Sequence, residues 1–285
     1  MNLLSLLDSL SAAPTATAAA SLPDRRTLLR SAGQSLGRYL LAAVPLTAAL
    51  PAAAAPTETV LDGLTLLLTL ADLQAALFSR ALDQQPGLVP TAVRPGLERL
   101  RQLHRQQAAS LRGLFSAAGA RVPAAASFDF SGSRNGTGPV LFAGVFTSFE
   151  GFLSLAQPLA DATARAYLGQ LPVFRADTQL AGVVLRRQAV EARQAAHLRT
   201  LRRGASLLPK SWPSPTDPAA PPALAALQAG EDNLSQLVPN TPVGVRYINF
   251  NALFFNDPVQ TSALAEAFDE PLTTEQVVGL LALFR

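Results

Sequence analysis

Two stretches carry polar side chains where an apolar stripe should be. From Val183 to Leu198 the spacing is helical, and at 100° per residue Leu180, Val183, Val184, Val190, Leu198 and Leu201 share one face. Arg187, Glu191 and Gln194 fall on that same face. Further upstream, His104 and Gln107 interrupt a stripe formed by Leu97, Leu100, Leu111, Leu114 and Phe115. A polar group buried without a partner costs about 1–3 kcal/mol, so five such positions need either one another or a ligand. The chemistry within their reach is metal ligation by Glu191 and His104, or a closed network. In the network Arg187 and Glu191, four residues apart, pair while His104, Gln107 and Gln194 complete the hydrogen bonds.

Composition narrows the alternatives. The chain has no cysteine and only two histidines, His104 and His197, which rules out thiolate sites and a histidine cage. Those two histidines form no recognisable triad with any serine. His197 lies about 120° around its helix from Glu191, which suits a packing or outer position. The pI near 9.9 suggests a polyanion partner, but the excess charge is concentrated at the start of the chain. Up to Ala55, Arg25, Arg26, Arg30 and Arg38 stand against Asp8 and Asp24, a net +2; the chain total of +3 leaves +1 for everything after. A near-neutral body argues against nucleic acid as a partner.

The elements that must position these residues follow in order. Residues 1–55 read as an export leader: Arg25-Arg26 followed by Leu28-Leu29-Arg30, an apolar run from Tyr39 to Leu50, and small residues at 51–56 suited to cleavage. The order is twin-arginine-like, and it predicts an exported, periplasmic or cell-surface protein. The apolar run falls short of the ~20 residues of a membrane span, and no transmembrane span is expected in the mature chain. A first helix is predicted over 57–83 with Thr57 as its cap, and its leucines surround it on nearly every side. A second is predicted from Arg94 to Ala118, with Pro95 in its first turn. The Gly-rich segment 119–139 lacks a phosphate-loop pattern and reads as a connection. A third helix is expected over 140–169, kinked or split at Pro158, with Val145, Phe149, Phe152, Ala156, Thr163 and Tyr167 inward. A fourth runs over 177–203 between an Asp177 cap and Gly204, where Arg199, Arg202 and Arg203 complement the helix dipole. Residues 205–223 are Pro-rich and irregular, with short helices at 223–229, 260–268 and 273–284. The aromatic run Tyr247–Phe255 reads as core cover, or as an interaction surface if exposed.

Four long helices with inward polar residues make an all-α, antiparallel four-helix bundle over residues 56–204. A partly helical, irregular extension over 205–285 packs on it. The sequence resembles the bacterial ferritin-like domain family related to desiccation-associated proteins. The likeness is carried by Leu70 through Leu82, Ala166-Tyr167-Leu168-Gly169-Gln170, Val190-Glu191-Ala192-Arg193 and Ala196-His197-Leu198-Arg199. Ala229-Gly230-Glu231-Asp232-Asn233 and, most specifically, Ala267 through Thr273 add to it. The resemblance implies a di-metal site, with one Glu from each of two helices and Glu-x-x-His from each of the others. Here its slots fall on Asp72, on His104 and Gln107, on Ala160, and on Glu191 and Gln194. The expectation is therefore a degenerate metal site without a cofactor, in a structural or binding protein related to stress or desiccation. The alternative is a redox protein holding iron or manganese through His104 and Glu191. The partner is unknown, and a homo-oligomer is compatible with the sequence.

Overall fold

The structure, a computed structural model, describes residues 59–204, 209–228, 230–240 and 244–249, and then 262–285 except 264 and 268. Residues 1–58, which hold the expected leader with Arg25 and Arg26, and the aromatics at 250–255 lie outside the described residues.

Helix α1 spans Val60–Ser79 and continues as a π-helical turn over Arg80–Gln84. Its cap is Thr59, not Thr57. Thr59 and Asp62 exchange hydrogen bonds in a capping box, each satisfying one of the free N–H groups of the first turn. Helix α2 covers Arg94–Ala117 with Pro95 in its first turn. A long crossover, 118–148, then leads to α3, Phe149–Phe174, capped by Ser148. This start is nine residues later than expected. Residues 140–148 form turns instead, and the buried Val145 and Phe142 reach the core from there. Nor is α3 split, because it runs through both Pro158 and Pro172. Its buried positions are nearly continuous, so packing holds the helix against the ~3 kcal/mol cost of an interior proline. Helix α4, Thr178–Arg203, starts at the Asp177 cap and ends at Gly204 with φ +55°.

Short connections make α1/α2 and α3/α4 antiparallel hairpins, and the single long crossover joins them. Helix α1 also packs on α3. The α2/α4 seam is marked by Gly96, where an added Cβ would meet His197 Nε2 at 3.4 Å. By length and hydropathy Val60–Gln84 could cross a membrane. In the bundle Leu64, Leu67, Leu70, Leu73 and Leu77 of this helix are fully covered.

The extension holds a 3-10 turn at Pro222–Gln228 and a terminal helix α5, Thr274–Ala282, which packs on α1 and α3. It also holds an antiparallel hairpin that the sequence reading lacked, with β1 Ser235–Asn240 paired to β2 Gly244–Asn249. The start of the aromatic run is thus strand. At the chain end Phe284 stacks on Phe142 of the crossover, with ring centroids 5.1 Å apart.

Candidate functional site: a polar waist in the bundle

The buried apolar side chains divide into two clusters. One contains Leu73, Leu77, Leu100, Ala162, Ala195 and Leu198; the other contains Leu67, Leu68, Ala108, Leu111, Leu180 and Val184. The break between them falls at the same level on all four helices. Gln74 occupies it on α1, His104 and Gln107 on α2, Thr163 on α3 and Glu191 and Gln194 on α4, and Tyr167 of the second cluster brings its hydroxyl to Gln107. All seven side chains are buried. Positions three or four apart on one helix face inward together, so four antiparallel helices gather them into one layer.

Part of the layer is satisfied. Gln74 Nε2 donates to Thr163 Oγ1 at 3.1 Å, and Thr163 in turn donates to the Leu159 carbonyl at 2.8 Å. Gln107 Nε2 donates to the Tyr167 hydroxyl oxygen. The His104 ring stacks on Phe78, with centroids 5.7 Å apart. The remainder of the layer is not satisfied. Neither Glu191 oxygen has a hydrogen-bond partner, and the same holds for both polar atoms of Gln194, for His104 Nδ1 and for Gln74 Oε1.

This arrangement corrects the expected Arg187–Glu191 pair. Arg187 is half-buried and makes no hydrogen bond to the carboxylate; it acts through its charge alone. Its side chain instead lines a cavity of about 40 Å³ together with Tyr167, Gln107 and Leu111.

The electrostatics follow from burial. Glu191 is 0% exposed, and burial pushes its carboxyl up to about 7. The Gln107 dipole, although its N–H points to Tyr167, and the Arg187 charge draw it partly back. Burial lowers His104 to about 3, so the ring is neutral at physiological pH. The Tyr167 hydroxyl is raised, first by burial and then by the charge of Glu191. His197 lies outside the layer, half-buried beside Gly96, and burial lowers its pKa as well.

The donor set can be tested against the metal pair that the resemblance implies. Asp72, the acidic candidate on α1, is turned away and paired with Arg112 at 2.7 Å. The inward α1 residue at this level is Gln74, and on α3 it is Thr163 and Tyr167 rather than an acid. One carboxylate cannot neutralise two adjacent hard cations. No group of three His, Asp or Glu among the described residues is placed to hold a metal ion. The residues present do not fit a di-metal centre.

Reading the sequence alone missed Gln74 and Thr163 as members of the layer and treated Tyr167 only as core. A signal for each existed. Gln74 is the one amide in a leucine-rich helix, and Thr163 and Tyr167 are four apart in an alanine-rich stretch.

Arg199 also departs from expectation. It is not a solvated helix-end base but a buried hub. It forks onto Asp161, Nε to Oδ1 at 2.9 Å and Nη2 to Oδ2 at 2.6 Å, and Nη1 donates to the Trp212 carbonyl at 3.0 Å and to Asp217. Arg165 on α3 is its counterpart. It pairs with Glu231 at 2.7 Å and donates to the carbonyls of Leu227 and Glu270. Parts of three passages that carried the resemblance therefore meet here: Gly169 and Gln170, Glu231 and Asn233, and Glu270 and Leu272. Asn233 Nδ2 donates to Glu270 at 3.1 Å, Gln170 Nε2 donates to Thr274 at 3.0 Å, and the Leu272 backbone lies against Gly169.

No curated protein and no solved structure matches this chain. The ferritin-like domain family matches it over residues 59–204, the span of the four helices and the crossover. The chain belongs to the ferritin-like domain family.

Proposed function

We propose that this is an exported, non-catalytic structural or binding protein whose bundle has given up the two-metal centre of its fold. The observation that carries the reading is the composition of the waist: a single carboxylate, Glu191, with no hydrogen-bond partner, among amides, a neutral imidazole and a phenol. With its carboxyl raised to about 7, Glu191 holds a proton for much of the time at neutral pH. A protonated acid needs no counter-cation, which resolves the charge problem that burial creates. Export rests on the twin-arginine-like leader, and a role in stress or desiccation rests on the resemblance alone.

A second reading has an observation of its own. Glu191 Oε1 and Oε2, His104 Nδ1 and both polar atoms of Gln194 are buried and unpartnered, which is the condition of ligands to a single ion. Iron or manganese held there would make a residual redox centre. Aerobic addition of ferrous iron to the purified protein separates the readings. The proposed function predicts oxidation no faster than in buffer. A faster rate in the wild type that is lost in Glu191→Gln, with the helix content unchanged, selects the redox centre.

A further inference from the structure

Where the extension closes on α3 and α4, a second polar space opens, away from the waist. Its volume is about 100 Å³, against roughly 10–15 Å³ for one water on a comparable measure. Asp161, Asp217 and Glu231 line it together with Arg165 and Arg199. Both guanidiniums already have work. Arg199 is shared between Asp161, Asp217 and the Trp212 carbonyl, and Arg165 between Glu231 and two backbone carbonyls. Two buried acceptors are left over, Asp217 Oδ1 and Glu231 Oε2. The Asp217 side chain is 7% exposed, so water at the surface does not satisfy it. With all of them ionised, Asp161, Asp217, Glu231 and Asp269, the last 3.7 Å from Arg165 Nε, stand against Arg165, Arg199 and Arg202, whose charge reaches Asp161 and Asp217, and this leaves one negative charge in excess.

A cation is the complement of such a space, and its kind can be narrowed. A divalent metal needs several oxygens converging at about 2.0–2.6 Å. No trio of His, Asp or Glu among the described residues is so arranged, and two guanidiniums nearby oppose a double charge. An alkylammonium has different needs. It carries one charge and three separate N–H donors, which suit unpaired oxygens that do not share a centre. Its stem needs apolar walls, and Pro158, Pro213 and Leu227 provide them. We propose that this junction cavity binds a primary ammonium on a short alkyl stem, either a free amine or the end of a lysine side chain.

The charged groups at the cavity are Asp161, Asp217, Glu231, Arg165 and Arg199, with Asp269 beside Arg165 and Arg202 acting on Asp161 and Asp217. Burial raises Glu231 to about 7, with the Arg165 charge opposing it. An ammonium is held best when Glu231 is ionised, so binding strengthens from pH 6 to pH 8.

The test is calorimetric titration of the full chain with n-butylammonium, with n-butanol as the neutral control. Saturable one-to-one binding at pH 8 that weakens at pH 6 is expected, with no binding of butanol. Glu231→Gln and Asp217→Asn, each checked for intact helix content, should each weaken binding roughly tenfold or more. A capped lysine amide then identifies the source: if it binds too, a protein side chain is the occupant, and if it does not, a free amine is. No saturable binding at pH 8 overturns the proposal, as does undiminished affinity in a folded Glu231→Gln or displacement of the amine by an equal concentration of calcium. If neither variant folds, the wild-type pH dependence and the butanol control decide.

Discussion

Glu191 is the residue on which the account turns, and its ionisation leaves a stability signature. Its carboxyl lies near 4.5 in an unfolded chain and at about 7 in the bundle. A raised folded value means that folding favours the protonated form. The contribution is therefore fully present below pH 4.5 and lost progressively as pH rises through 7. At 1.36 kcal/mol per pKa unit the full loss is roughly 3 kcal/mol. Glu191→Gln keeps the shape but cannot ionise. Denaturant unfolding should find it close to the wild type at pH 5 and more stable by about 1–3 kcal/mol at pH 8.5. A variant less stable than the wild type at pH 8.5 would mean that the ionised carboxylate is held by something, a cation above all.

Among the elements, the junction of α3 with the extension gives a prediction in which local and tertiary preferences oppose each other. Gly169 lies inside α3, where helix propensity alone says that alanine gains about 1 kcal/mol. Yet a Cβ there would stand 1.9 Å from the Leu272 carbonyl oxygen, a backbone atom that cannot move without lifting the segment leading into α5. Gly169→Ala should therefore lower the melting temperature and speed limited proteolysis within 209–231. Arg199→Ala should do the same more severely, by about 3–5 kcal/mol, because it strands Asp161 and Asp217 in a buried place without their cation. The same elements show what the sequence could reveal. The positions of α2 and α4 were legible to within a residue or two, because their apolar stripes are regular and their boundaries carry Pro95, Asp177 and Gly204. The start of α3 was not, because Phe142, Val145 and Phe146 continue an apolar pattern while the chain is still turning. Of the waist, the members on α2 and α4 could be read as polar breaks in a stripe. Gln74 and Thr163 left a weaker signal, because each looks like a tolerated single exception until its partner on the other helix is known. The Arg165 and Arg199 hubs depend on residues tens of positions away, which helical periodicity does not report.

For the whole molecule, the proposal joins the expected leader to the waist: a ferritin-like bundle that is exported without a metal pair. Exchange of Arg25 and Arg26 for lysine should leave the protein in the cytoplasm at full length, if the pair is read by a twin-arginine exporter. Fractionation with N-terminal sequencing of the exported chain checks this. Export unaffected by the exchange would assign the leader to another route. The most direct measurement is the metal content of the full chain purified from cells grown with added iron and manganese, taken alongside Glu191→Gln. The account predicts well under one iron or manganese per chain in both proteins. A stoichiometric metal in the wild type that disappears in Glu191→Gln would contradict it.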